Sequence, residues 1–391
     1  MKNFVSKKAK EIKPSGIRKF FDIVASRKDV ISLGVGEPDF VTPWKIREAG
    51  VNCIKKGYTQ YTSNKGLLAL RREISSYLKN RFSVEFSPDN LIVTIGASEA
   101  IDITLRATID DGDEVLIPDP SYVSYEPCVK LCGGVAKPVV SSAKDEFKLT
   151  RENLEKAITK KTKALIFSYP NNPTGATMSE ADIREIIPVI LKHDLLVIAD
   201  EIYAELTYEK KHCSIASFKE LEDRVVLISG FSKAFAMTGW RIGYVGAPSE
   251  IINASLKIHQ YVTMCAPIFS QYAALEALEQ GKTDDFAVVE EMRKEYDRRR
   301  KYLYKSFNEM GLTCFEPTGS FYVFPSVESL GMTGEEFSTK LLEKSNVAVV
   351  PGGAFGKFGE KHIRCSYAYS MKELVEAVER IREFVKELKT E

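Results

Sequence analysis

The chain reads as an α/β protein, with a large domain of mostly parallel sheet covered by helices and a smaller α+β domain. Three observations predict this. Through the middle of the chain, short and continuously apolar runs alternate with amphipathic stretches, the pattern of strands buried on both faces. The last third changes character: long charged helical stretches surround only a few brief strand candidates. At 391 residues, the chain also exceeds the roughly 250–300 residues at which a single hydrophobic core stops growing.

The elements follow in order. LIVTIG (91–96) is a strand candidate that runs into a helix from Ser98 to about Thr108, where Ala100, Ile101, Ile103 and Leu105 supply the apolar positions. EVLIP (114–118) is the next strand, stopped by Pro118 and Pro120. ALIFS (164–168), a helix over 179–192, LLVIA (195–199), VVLIS (225–229) and IGYVG (242–246) continue the alternation. Residues 281–310 are helical in pattern, and the charged run 290–301 within them reads as a solvated face. SFYVFP (320–325) and VAVVP (347–351) are strand candidates, and a last amphipathic helix carries Leu374, Ala377, Val378, Ile381, Val385 and Leu388. The expected division is a large domain over 45–280 and a small domain made of 1–44 plus 281–391.

Composition narrows the function. A net charge of +1, with 44% hydrophobic and 28% charged residues, is ordinary for a globular enzyme and favours neither nucleic acid nor an anionic membrane. The basic N-terminal stretch (Lys7, Lys8, Lys10, Lys13) reads as solvated surface. No apolar run approaches the ~20 residues that span a bilayer, and the first residues lack the apolar stretch of a signal peptide. Seven scattered cysteines without a CxxC pair read as free thiols in a reducing compartment, so a cytoplasmic location is expected. Only four histidines are present, none at ligand spacing, which argues against a catalytic zinc site or a Ser-His-Asp triad. His193, His212, His259 and His362 read as surface or supporting groups, and Trp240 as packing.

In open α/β sheets, ligands bind beyond the carboxyl ends of the parallel strands, so the residues just after each strand carry the most information. Those segments are Gly96-Ala97-Ser98-Glu99, Tyr169-Pro170-Asn171-Asn172-Pro173-Thr174-Gly175, Asp200-Glu201-Ile202-Tyr203 and Gly230-Phe231-Ser232-Lys233. Taken singly they are weak: an Asp at a strand end is commonly a cap, and Asn-Asn-Pro-Thr-Gly is a good turn. A Gly-Ala-Ser before a helix offers backbone N–H groups to an anion. Lys233 is less ordinary. It stands among Gly, Ser, Ala, Phe and Met with no nearby charge until Arg241, a setting that lowers an amine's pKa and suits Schiff-base chemistry.

At this point the chain resembles the class I/II aminotransferases, the fold-type-I pyridoxal-phosphate enzymes. GFSKAFAMTGWRIG (230–243) is similar to their cofactor-lysine signature. LGVGEPDF (33–40), YTSNKGLLALR (61–71), NNPTG (171–175), DEIY (200–203) and the Arg of HIRCSYA (362–368) match the same family in the same order, covering nearly the whole chain. The likeness is greatest to the prokaryotic aspartate/aromatic branch.

The resemblance implies a role for each residue. Lys233 would hold pyridoxal 5′-phosphate as a Schiff base and, once freed, carry a proton at the substrate Cα. Asp200 would pair with the ring nitrogen, Tyr203 and Asn172 with the ring 3-oxygen, and Tyr122 would stack on the ring face. Ala97, Ser98, Ser232 and Arg241 would bind the phosphate. Tyr61 would reach that phosphate from the other subunit of a homodimer. Arg364 would clamp the substrate α-carboxylate, with Asn172 and the backbone near Gly36 beside it. The N-terminal segment around Ser15 to Ile17 would help to select the substrate, which is an amino acid paired with a 2-oxo acid such as 2-oxoglutarate.

Two departures from the family pattern stand out. Many relatives have Ser where this chain has Gly230, which removes one phosphate hydroxyl. Some aspartate-type relatives have Lys where Ser98 stands, a group that reads a distal carboxylate; without it, aromatic or mixed specificity is open. Two rival readings remain at the sequence level. A C–S (β-) lyase on the same fold would release ammonia and a 2-oxo acid from one substrate, without an acceptor. A non-catalytic binding protein on this fold would have no need of Lys233, Asp200, Arg241 and Arg364.

Overall fold

A computed structural model describes residues 4–14 and 29–390; the segment around Ser15 to Ile17 lies outside the described residues. The strands are β1 Ile31–Ser32, β2 Leu91–Thr94, β3 Glu114–Asp119, β4 Val135–Val140, β5 Thr162–Phe167, β6 Leu196–Asp200, β7 Val225–Gly230, β8 Gly243–Gly246, β9 Tyr322–Val323, β10 Val347–Ala348, β11 Val350–Pro351 and β12 Ile363–Ser366. Seven of them form one sheet in the order β2-β8-β7-β6-β5-β3-β4. β3 pairs in parallel with both β4 and β5, as do β5 with β6 and β6 with β7. β8 alone runs antiparallel, between β2 and β7.

The continuous apolar runs are explained by burial on both sheet faces. Val115, Ile166, Ile198, Val226 and Ile228 point into one layer with helix Gly96–Thr108. Their neighbours Leu116, Leu165, Val197 and Leu227 point into the other, where Ile183, Ile186 and Ile190 of helix Glu180–Lys192 pack. That helix starts where its sequence says it should, on a capping box between Ser179 and Asp182.

A further core cluster joins helices Ala287–Glu309 and Met371–Leu388 to the three-stranded sheet β11-β12-β9. Helix Met371–Leu388 buries Leu374, Ala377, Val378, Ile381, Phe384 and Val385, the stripe its periodicity predicts.

The structure departs from the sequence reading in four places. Edge strand β4 (VAKPVV) is half exposed and contains Pro138, so it carries no apolar run to detect. The helical stretch 281–310 is two helices, Ile268–Asp284 and Ala287–Glu309, broken where Asp285 and Phe286 take positive φ. Of the small strand candidates, 320–325 shrinks to β9 and 347–351 splits into β10 and β11.

The charged run 290–301 is not uniformly solvated. Arg299 and Arg300 are buried. Arg299 binds Asp39 at 2.9 Å, and Arg300 donates to the Pro317 carbonyl at 2.8 Å and to Glu316 at 3.1 Å. Guanidinium groups are retained in this core because each finds carboxylate or carbonyl partners.

Candidate active site

The carboxyl ends of β3, β5, β6 and β7 open onto a cavity of about 730 Å³. Every site residue expected from the sequence lines it except Tyr61, which is exposed on the surface loop before Asn64. The topology explains the convergence: each parallel strand delivers its last residue and the following turn to the same edge of the sheet.

At the end of β7, Lys233 donates from Nζ to the Gly36 carbonyl at 2.7 Å. The rings of Tyr203 and Phe321 lie 5.7 and 5.5 Å from its Nζ. Burial pushes the amine down to about 8, while Glu37 opposes the shift and Arg364 and Arg241 add to it.

Asp200 ends β6 and is buried. Tyr125 Oη donates to Oδ2 at 2.8 Å and the Ile202 N–H to Oδ1 at 3.2 Å. Among the described residues no cation forms an ion pair with it. Burial raises its carboxyl to about 6 against the pull of those hydrogen bonds. A buried carboxylate aimed into a cavity without a cationic partner is suited to a protonated ring nitrogen.

The turn after β5 is built by Asn171, whose Oδ1 accepts from the Thr174 N–H and hydroxyl at 3.2 and 2.9 Å, with Gly175 at φ 75°. It presents Asn172, whose Oδ1 accepts from Arg364 Nη1 at 2.9 Å. Asn172 Nδ2 is thereby left as a donor. Arg364, on β12, also donates from Nη2 to the Gly34 carbonyl. Its guanidinium lies over the rings of Tyr322 (4.4 Å) and Phe355 (4.7 Å). The Nε of Arg364 is buried without a hydrogen-bond partner among the described residues.

Helix Gly96–Thr108 begins without a side-chain cap, so its first N–H groups, including those of Ala97 and Ser98, are open to the cavity. Two glycines bring cations and backbone close to it. A Cβ on Gly96 would lie 2.7 Å from Arg241 Nη2, and one on Gly243 would lie 2.7 Å from the Ala97 nitrogen. Behind the helix start, Glu99 accepts from the Ile95 N–H and binds His259 Nδ1 at 2.7 Å. Burial opposes ionisation of Glu99, but hydrogen bonds from His259, Ile95 and Thr263 hold its carboxyl below the usual range. An open helix start, an Arg and the Ser98 and Ser232 hydroxyls form a donor set that matches a phosphate.

Gly36 has a sharper constraint than the sequence suggested, because a Cβ there would lie 2.1 Å from Tyr322 Oη. Tyr322 itself was missed. It sits in what reads as an ordinary core strand, and its hydroxyl meets that of Tyr203 at 3.0 Å. Tyr125 was missed as well, although it shares the PSYVSY segment with Tyr122. The four histidines and Trp240 do not line the cavity. His259 is wholly buried behind Glu99, His212 binds Glu201 at 2.8 Å, and His362 stacks on Phe324 at 4.8 Å. Trp240 hydrogen-bonds Thr42 at 3.1 Å and packs against the large core.

Known proteins share this chain's sequence pattern and fold. The pattern of the family described as "Aminotransferase class I and II" matches residues 28–381. An aspartate aminotransferase of Pyrococcus abyssi is 47% identical over 380 residues, covering 97% of each chain. Aromatic-amino-acid aminotransferase 2 of Thermococcus litoralis is 41% identical over 387 residues, 98% of this chain and 99% of that one. The crystal structure of an aromatic aminotransferase from Pyrococcus horikoshii superposes with a TM-score of 0.90 at 46% identity, covering 95% of this chain and 99% of that one. The chain belongs to the class I and II aminotransferase family.

Proposed function

We propose that this transaminase uses pyridoxal 5′-phosphate to move the amino group of an L-amino acid to a 2-oxo acid such as 2-oxoglutarate. The observation that carries the reading is the convergence of Lys233, Asp200 and Arg364 on one cavity. When bound, the cofactor supplies an aldehyde carbon that exchanges amino groups and a ring that takes up the electrons of the broken Cα–H bond.

The chain supplies the rest. Lys233 is the amine that would hold the cofactor, and its Nζ moves the proton at the substrate Cα; the lowered pKa makes a neutral amine available near physiological pH. Asp200 would hold the ring nitrogen, Tyr203 Oη and Asn172 Nδ2 the 3-oxygen, and Tyr122 the ring face. Ala97, Ser98, Ser232 and Arg241 would hold the phosphate. Arg364 would bind the α-carboxylate in a plane set by its two flanking rings, with the Gly36 backbone beside it.

The cations lining the cavity are Lys233, Arg241 and Arg364. All three have roles at the cofactor or the α-carboxylate, so among the described residues no further cation lines the cavity for a distal carboxylate. Val35, Ile101, Val123 and Ile202 add apolar lining. This composition favours an aromatic or other apolar donor over aspartate.

We infer a homodimer from the exposed apolar surface. Trp44 (62% exposed), Tyr61 (80%) and Tyr261 (86%) lie on neighbouring elements. Helix Trp44–Lys55 packs on Ile268–Asp284, and Asn64 Nδ2 donates to the Met264 carbonyl at 2.8 Å, joining the Tyr61 loop to residues 261–264. A patch of this kind marks a protein interface. We take residues 45–280 as the large cofactor-binding domain and 1–44 plus 281–391 as the small one, in keeping with the separate core cluster around helix Ala287–Glu309. The seven free cysteines fit a reducing cytoplasm.

The test is a panel of donors, Asp, Tyr, Phe, Ala and Glu, assayed with 2-oxoglutarate. Tyr and Phe are expected to give the highest kcat/KM, turnover should require the acceptor, and Lys233→Ala should abolish it. Ammonia released from one amino acid without an acceptor would instead establish a lyase, and a preference for Asp would overturn the specificity.

A further inference from the structure

The turn 355–358 reaches from the smaller group of strands to the end of β3, beside the main cavity. Asp119, the buried last residue of β3, accepts from the Lys357 N–H on Oδ2 at 3.1 Å and from the Phe358 N–H on Oδ1 at 3.2 Å. The Ser121 N–H donates to the Phe355 carbonyl at 2.9 Å. Gly356 has φ 138°, and a Cβ there would lie 1.9 Å from Asp119 Oδ1, so the carboxylate rests directly on the main chain of the turn. A cavity of about 430 Å³ runs beside the turn, lined by Asp119, Phe355 and Lys357 among others. On that side the turn is tied by these hydrogen bonds, while on the other Phe355 is buried in the core with its ring 6.4 Å from that of Phe324. The same turn carries Phe355, whose ring lies 4.7 Å from the Arg364 guanidinium, which also lies 4.4 Å from the Tyr322 ring.

We propose that Asp119 is a positioning residue for carboxylate binding: it tethers the turn 355–358, which holds Phe355 against Arg364 and keeps the guanidinium plane in place. The inference rests on the assignment of Arg364 as the carboxylate clamp. It is specific to a carboxylate at position 119. Two backbone donors approach two different oxygens, so Asn would set an amide N–H against one of them.

The holoenzyme, titrated with 3-phenylpropionate and with succinate and followed by cofactor absorbance, provides the test. Neither compound has an amino group to react. Asp119→Asn and Phe355→Leu should each weaken the binding of both compounds about three- to thirtyfold. The pyridoxal 5′-phosphate concentration that reconstitutes the apoprotein should not change, which separates this role from general loosening of the site. Because both residues act through one contact, the double variant should lose no more than the larger single loss. Unchanged affinity in Asp119→Asn, or losses that multiply in the double variant, overturns the proposal. If Asp119→Asn does not fold, Phe355→Leu decides, since it leaves the hydrogen bonds of the turn intact; unchanged affinity there sinks the idea. Arg364→Lys separates the two levels. No loss in that variant means that the clamp lies elsewhere, whereas a loss there without one in the other two means that only the tether is wrong.

Discussion

Lys233 shows how one position acquires its chemistry. Its amine is held near 8 by burial, so its neutral fraction rises as pH passes through that value, well below the range of a surface lysine. In the apoprotein, reductive labelling with a small aldehyde between pH 7 and 8 should therefore mark Lys233 ahead of the exposed lysines. Peptide mapping that finds it no faster than they are would contradict the lowered pKa. Gly36 makes a second residue-level case. The space a methyl group would need is taken by Tyr322 Oη, 2.1 Å from the position of the missing Cβ. Gly36→Ala should cost about 1–3 kcal/mol of overpacking and lower kcat/KM at least about tenfold. Adding Tyr322→Phe removes the obstructing atom and should restore part of the loss; a double variant no better than Gly36→Ala would show that the damage comes from the backbone instead.

At the scale of elements, the junction of β7 and β8 explains a departure from the family pattern. Gly230 and Gly243 are paired across these antiparallel strands. A Cβ on Gly230 would lie 2.8 Å from Gly243 Cα, and one on Gly243 would strike the start of helix Gly96–Thr108. The pair lets β8 lie close against the helix whose N–H groups would take the phosphate. Restoring the serine of many relatives is therefore not a gain here. Gly230→Ser should destabilise the fold by about 1–3 kcal/mol without tightening cofactor binding, as thermal unfolding and reconstitution titrations would show. A more stable variant that binds the cofactor better would mean that the strands can separate at no cost. The helix start has its own support: Glu99 is ionised, and its lowered pKa contributes stability above the ordinary carboxylate range that is lost as pH falls through its folded value.

The whole molecule matters for Tyr61, the one expected site residue outside the cavity. If the partner subunit's Tyr61 completes each phosphate site, mixing subunits should rescue function. A Lys233→Ala subunit lacks the amine but offers an intact Tyr61, and a Tyr61→Ala subunit offers the reverse. Their hybrid dimer contains one complete site and should regain activity at low cofactor concentration, where neither parent works. No recovery in dimers shown by mass to be hybrid would place Tyr61 in its own subunit's site or in none. Sedimentation should show a dimer, and charged substitutions at Trp44 and Tyr261 should shift it toward monomer.

The sequence by itself determined the fold class and the strands of the central sheet that are buried on both faces, and with the family resemblance it named the candidate residues that the structure brings to one cavity. Those features are written locally: continuous apolar runs, a capping box at Ser179, and polar residues at strand ends where the sheet delivers them to one edge. Edge strand β4 and the short strands β9 to β12 were faint or blurred, because a half-exposed strand with Pro138, or a two-residue pairing, has too little pattern to read. Only the tertiary structure decided which residues set the shape of the site. Tyr125 reaches Asp200 from 75 positions away, Tyr322 occupies the space above Gly36, and Asp119 holds a turn 238 positions further along the chain. Contacts of that kind depend on distances through space, which side-chain type and local periodicity do not encode.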